Sequence, residues 1–230
     1  MPVSQAPQTR IHVESIRFMS LKFDFAALNP SQRYKLLAGL VVPRPIALIT
    51  TRSAEGVVNA APYSFFNVFS EDPAIVIVGL QAKADLSLKD TTRNVRTTGE
   101  FVVNMVDEAL ARAMNDCAID FPSEMGEPEA LKLPVADSEL VSVPRLADAP
   151  VAFECRKITI MNFGIERDLL VGEILAMQAR DGVVDQQTLR TNYDRYDPVG
   201  RIAGSLYTRT KDQFALERDS FTVWKSRSGG

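Results

Sequence analysis

Pro43-Arg44-Pro45 sets the hardest local limit on this chain. Two prolines around one residue remove two backbone donors and hold Arg44 extended, so no helix can run through the segment. Ile46-Ala47-Leu48-Ile49-Thr50-Thr51 follows, rich in β-branched and apolar residues, and is predicted as a strand. Ser53-Ala54-Glu55-Gly56 is a short loop whose glycine can take positive φ, returning the chain through Val57 to Ala61 as a hairpin.

The same pattern recurs downstream. Ala74 to Leu80 is a continuous apolar run, Phe101 to Val106 another, and Val151 to Met161 and Leu169 to Met177 read as longer strands. Ile202 to Thr208 is predicted as a last strand. Helical patterns are fewer and shorter. One starts at Asn29, shows Ser31, Tyr34 and Leu37 at helical spacing, and ends at Gly39. A second has Ser87 as cap with Asp90 three residues later, and stops at Gly99. A third has Asp107 as cap and places Leu110, Met114 and Cys117 on one face. Residues 118–150, rich in Pro, Glu and Asp, read as a long excursion over the surface. Strands that do not alternate with helices argue for a mainly β fold, an antiparallel barrel with a few short helices. We expect an N-terminal arm over residues 1–20, one domain over 21–220, and a tail over 221–230 that is loose except near Trp224.

Composition narrows the chemistry. The 230 residues are 46% apolar and 24% charged with a net charge of −3, which suits a globular core and disfavours a nucleic-acid partner. No apolar stretch approaches the roughly 20 residues of a membrane span, and no secretory leader pattern opens the chain, so we expect no membrane partner and a cytoplasmic location. His12 is the single histidine, and the two cysteines, Cys117 and Cys155, sit among apolar neighbours as buried free thiols would. No zinc site and no Ser-His-Asp triad can be assembled from that set, so no metal site is expected. Enzymatic chemistry, if present, would come from a cofactor. Neither Gly-x-Gly-x-x-Gly nor a P-loop occurs.

Three segments could hold such a group. Asn59-Ala60-Ala61-Pro62-Tyr63-Ser64-Phe65-Phe66-Asn67 sets aromatics beside small polar residues, and Pro62 interrupts the ladder so that the N–H groups of Ser64, Phe65 and Phe66 can face a ligand edge. That suits a flavin ring, a flat apolar plate whose reduced form seeks donors near N1 and O2; a plain strand and bend fits as well. Arg44, at the strand mouth, can lie against a ring or a phosphate. Ser87, Lys89 and Thr91 cluster on the first turn of a helix, where free N–H groups favour an anion, with Asp90 opposing it and Asn94 one turn on. An ordinary capping box with a solvated lysine fits those residues too.

Taken in order, these motifs resemble those of the flavin reductase-like proteins of the FMN-binding split-barrel fold. The resemblance runs from about Tyr34 to Phe214. It rests on Pro43-Arg44-Pro45-Ile46-Ala47, on Asn59 to Asn67, on Lys89-Asp90-Thr91-x-x-Asn94, and on Gly99-Glu100-Phe101-Val102-Val103-Asn104 and Pro198-Val199-Gly200-Arg201-Ile202. It implies a Greek-key split β-barrel that forms a homodimer with FMN held between subunits. It also implies ring contacts from Ala61, Pro62, Tyr63, Ser64, Phe65, Phe66 and Asn67, and from the strand that carries Arg44 and Thr50. The phosphate would lie at Ser87, Lys89, Asp90, Thr91 and Asn94. One departure stands out: shorter members carry a Gly-Asp-His motif linked with the nicotinamide, whereas here the stretch reads Gly164-Ile165-Glu166-Arg167-Asp168. The chain therefore resembles the longer, flavoredoxin-like branch. The implied functions are an NAD(P)H-dependent flavin reductase serving a partner monooxygenase, an electron-transfer flavoprotein without a nicotinamide site, or a flavin-binding module. No catalytic side chain is assigned.

Overall fold

A computed structural model describes residues 20–228. The arm expected over residues 1–20 lies outside the described residues except for Ser20, as does His12. Helix α1 (Pro30–Leu40) opens on a capping box in which the Asn29 side chain accepts the Gln32 N–H and the Gln32 side chain accepts the Asn29 N–H, both at 2.9 Å. Then come β1 (Ala47–Arg52), β2 (Val58–Tyr63), β3 (Phe66–Glu71), β4 (Ala74–Gln81), α2 (Asp90–Thr98) and β5 (Glu100–Met105). Short elements follow: α3 (Ala111–Asp116), α4 (Glu127–Ala130), β6 (Val135–Ala136) and β7 (Arg145–Leu146). The long hairpin β8 (Val151–Asn162) and β9 (Arg167–Ala179), the small hairpin β10 (Val199–Arg201) and β11 (Tyr207–Arg209), and α5 (Phe221–Ser228) complete the chain.

The main sheet has seven strands in the order β2-β1-β5-β8-β9-β4-β3, with every pairing antiparallel. Its topology forces closure. β2 and β3 are the opposite edges, yet only Ser64 and Phe65 join them. Six gaps at about 4.8 Å would make a flat sheet roughly 29 Å wide, whereas that link spans about 10 Å at full extension. The sheet must curl until its edges approach, which makes it a split barrel. The Phe65 carbonyl accepts the Gly79 N–H at 2.7 Å, carrying the β3–β4 ladder one step into the link, and a Cβ on Gly79 would lie 3.0 Å from that of Phe65.

Alternation along the strands sorts the core. Ala47, Ile49, Phe66, Val78, Phe101 and Leu170 fill the interior, and Val95 of α2 packs in the same cluster. On the outer face Leu48 and Ala60 pack against Leu110, Met114 and Cys117 from α3 and its flanks. The Asp107 carboxylate accepts the Leu110 N–H at 3.0 Å in the turn that precedes α3. The helix itself starts at Ala111 with Leu110 as its capping residue and no side-chain bond, so Asp107 does not cap it as expected.

Four further expectations need correction. Residues 118–150 are not a surface excursion: Val141, Val143, Leu146 and Ala149 are buried against the outer sheet face, a tertiary fact that polar composition conceals. Ile202 to Thr208 is not one strand, because the chain turns through Gly204, at φ +55°, to make β10 and β11 a hairpin. The tail from Phe221 is helical, with Phe221 and Trp224 rings 5.8 Å apart. Ser87 does not cap α2. Lys89 is the capping residue, without a side-chain bond, while Ser87 donates to Asp85 at 2.6 Å in the preceding turn.

Candidate functional site

β2, the start of α2, the loop after β4 and the segment after α3 enclose a cleft of about 750 Å³, a size suited to a small-molecule ligand. Asn59, Ala61, Pro62 and Tyr63 form its β2 wall, and Lys89, Asp90 and Thr91 bring the first turn of α2 to its floor. Buried polar contacts set that geometry. The Asn59 amide donates to Thr91 Oγ1 at 3.0 Å, and the Asn94 amide donates to Thr51 Oγ1 at 3.0 Å, so the helix start is tied to both β2 and β1.

Charge is arranged unevenly there. Asp90 pairs with Arg93 at 2.6 Å and with Lys83 at 3.5 Å. Burial raises its pKa, but hydrogen bonds from Ser123 and Arg93 and the charge of Lys83 prevail and hold it below the ordinary value. Lys89 is the cation of the first turn beside the free N–H groups of α2. The Tyr63 hydroxyl is buried without a hydrogen bond of ordinary geometry. Burial pushes its pKa up to about 12; the approach of Thr91 pulls down, though it falls short of a well-formed bond. An orphaned donor in a wall is what a ligand's acceptor would satisfy. Cys117 also lines the cleft, and burial, aided by Glu127 and Asp116, pushes its thiol up to about 12, so it is a neutral wall group. Glu127 completes the inner wall. Its Oε2 accepts the Ala60 N–H at 2.7 Å, and burial raises its pKa.

The other residues singled out from sequence go elsewhere. Ser64 and Phe65 line a shallow depression beside the cleft, together with Tyr34, Gly79 and Lys89. The Arg44 guanidinium is consumed inside the fold: it donates to the carbonyls of Ala38, Val41 and Ile202, and its carbon lies 5.8 Å over the Phe65 ring. It ties the end of α1 and the segment after β10 to the start of β1, away from the cleft. Thr50 points to the outer face, donating to the Pro144 carbonyl at 2.7 Å and accepting from Asn104. Phe66 belongs to the barrel interior. Asn67 is exposed and accepts the Val68 N–H at 2.9 Å. Asn94 and Asp90 border a separate hollow reaching Glu55 and Ser123. Sequence reasoning missed Lys83, Cys117 and Glu127. Only Lys83, a cation just past a strand end, offered a local signal.

A split barrel with a ligand cleft beside its seam is the class that fold and site define. Residues 39–200 match the flavin reductase like domain family, and the chain belongs to that family. The crystal structure of Pseudomonas fluorescens 2-nitrobenzoate 2-nitroreductase NbaA is 39% identical, with a TM-score of 0.80 over 87% of this chain and 98% of that one. Nitrilotriacetate monooxygenase component B from Bacillus cereus is 33% identical, with a TM-score of 0.81 over 86% of this chain and 99% of that one. An uncharacterized protein of Deinococcus radiodurans is 40% identical over 211 residues, covering 89% of this chain and 92% of its own. Among the described residues no cluster of His, Cys, Asp and Glu could hold a metal ion, and no helix is long and apolar enough to cross a membrane.

Proposed function

We propose that this chain is an FMN-binding oxidoreductase, a cytoplasmic homodimer that takes electrons from NAD(P)H and delivers them to free flavin or to a partner monooxygenase. One observation carries the reading: the β2 wall and the first turn of α2, singled out separately as ring-facing and phosphate-facing, line one cleft of suitable size. Family membership and the likeness to a nitroreductase and to a monooxygenase component support it.

The residues present fit FMN. Lys89, Thr91 and the unpaired N–H groups that open α2 would hold its phosphate. Ala61, Pro62 and Tyr63, with Ser64 and Phe65 beside them, would face its ring, where the orphaned Tyr63 hydroxyl awaits an acceptor. When bound, FMN supplies the hydride and single-electron chemistry that no side chain here provides. The chain's own work is to bind, to orient, and to keep Asp90 neutralised by Lys83 and Arg93 so that an anion can approach.

Fluorescence titration tests this. Replacing Lys89 and Thr91 together by alanine should weaken FMN binding by roughly 2–4 kcal/mol, about two charge-assisted hydrogen bonds, and weaken riboflavin binding far less. An unchanged FMN affinity would place the phosphate elsewhere. A second reading, electron transfer without a nicotinamide site, is favoured by the loop Gly164-Ile165-Glu166, which carries no histidine. Anaerobic mixing of the flavin-loaded protein with NADH and NADPH separates the two, since only the reductase loses its yellow colour rapidly.

A further inference from the structure

We propose that Glu127 is a proton-linked gate on the cleft, holding a proton while a phosphate-bearing flavin is bound and surrendering it on release. The inference rests on reading the cleft as an FMN site, and adds a control that neither the family nor the fold assigns.

The geometry comes first. β2 is a sheet edge, so N–H groups on its outer side have no neighbouring strand. α4 packs against that edge because Gly126 has no side chain: a Cβ there would overlap the Val58 carbonyl. Glu127 thereby reaches the Ala60 N–H and is left only 8% exposed at the inner wall of the cleft. A carboxyl satisfies that donor with or without its proton, since one oxygen accepts while the other can carry hydrogen. Glu127 can therefore titrate without breaking its structural bond.

Its surroundings decide which form is favoured. From α2 it meets Asp90, with Arg93 and Lys83 already committed to that carboxylate, and Lys89 at the cleft floor. From β2 it meets Tyr63, and from the segment after α3 it meets Cys117, with Asp116 and Asp120 close by. Asp85 and Glu166 stand on the remaining walls. With Glu127 ionised, Lys83, Lys89 and Arg93, the last paired with Asp90, stand against Asp85, Asp90, Asp120, Glu127 and Glu166. A phosphate dianion entering that wall worsens an existing negative excess, and the cheapest relief is a proton on the carboxyl that the fold already keeps from water. Burial raises the Glu127 pKa and the charge of Asp90 raises it further, while Asp90 itself is held low. Two carboxyls pushed apart in this way take different protonation states at one pH.

The test compares wild type with Glu127→Gln, which keeps an acceptor for Ala60 and cannot titrate. FMN affinity is measured by fluorescence from about pH 5.5 to 9, and proton uptake by calorimetry in two buffers of different ionisation enthalpy. Above the free carboxyl's pKa the wild type should lose up to about tenfold in affinity per pH unit and take up close to one proton on binding. Riboflavin, which lacks the phosphate, should show a smaller slope. Glu127→Gln should bind FMN with a flat profile above about pH 7, where the phosphate's own second ionisation is complete, and more tightly than wild type at the alkaline end. Tight binding with matching profiles in both proteins, or no proton uptake by wild type, overturns the proposal while leaving the FMN site intact. The calorimetric arm needs no variant and decides the matter even if Glu127→Gln fails to fold. Absence of FMN binding at every pH would instead remove the site itself, and the gate with it.

Discussion

Glu154, near the start of β8, is wholly buried, and its oxygens receive the N–H groups of Glu139 and Leu140 at 2.8 and 2.6 Å together with the Gln178 amide. Glu127 on α4 is nearly as enclosed but is met by the Ala60 N–H beside an open cleft. Burial raises the pKa of both. At Glu154 the converging donors outweigh it and the net shift is downward; at Glu127 they do not, and the shift is upward. The fold favours the charged form of one carboxyl and disfavours that of the other. A buried charge with every lone pair matched is structure, whereas one left short beside a cavity is available for chemistry.

The largest effect that comparison predicts is at Glu154. Glu154→Ala strands two backbone N–H groups that anchor the segment after β6 to the sheet, and should cost about 3–5 kcal/mol in urea unfolding at neutral pH. Glu154→Gln should cost less and flatten the acid limb. A depressed pKa in the fold means stability that is full above the unfolded value of about 4.3 and lost as pH falls through the folded value. An acid-unfolding profile identical to wild type would show that Glu154 is not held as an anion.

Arg44 extends the matched class to a cation. Its donors reach Ala38, Val41 and Ile202, so Arg44→Lys, with one point charge for a planar fork, should cost about 2–3 kcal/mol and leave FMN affinity within a few fold. A large loss of flavin affinity at unchanged stability would return Arg44 to the ligand. Gly126→Ala bears on the other class. The added methyl meets the Val58 carbonyl, so α4 must lift from β2 at a cost of about 1–3 kcal/mol, and the pH dependence of flavin binding should fade as Glu127 reaches water.

The barrel was legible because its evidence is local. Two prolines around Arg44 and β-branched runs such as Ala74 to Leu80 act over a few residues, and a strand keeps its alternation whatever surrounds it. The β2 wall and the start of α2 were found for the same reason, each being a contiguous motif. What escaped was created by packing. Arg44 and Lys89 read alike as free cations, and only the third dimension shows that one is spent on carbonyls. Glu127 lies in a stretch of Pro, Glu and Asp that any polarity count assigns to the surface; its burial depends on Gly126 allowing close approach to an edge strand. Residues 118–150 were misplaced by that logic, since four buried apolar side chains among many polar ones leave no periodic trace.

The smallest effect is the most discriminating, because its sign changes with pH. A carboxyl whose pKa is raised in the fold contributes stability that is present below the unfolded value of about 4.3 and lost as pH rises through the folded value. Wild type therefore carries a penalty at alkaline pH that Glu127→Gln does not. Near pH 5 the variant should match wild type or fall short by a few tenths of a kcal/mol, as a neutral amide is a slightly different acceptor for Ala60. Near pH 9 it should be the more stable protein, by roughly 1 kcal/mol or less. At Glu154 the carboxylate is already charged at pH 5, so the corresponding glutamine variant should be weaker than wild type by about the same amount at both ends. Paired urea titrations of the two variants at about pH 5 and 9 thus give a slope for Glu127→Gln and none for Glu154→Gln if the contrast is real. Parallel slopes would mean that the two carboxyls are one kind of site, and that the cleft wall holds its charge as firmly as the core does.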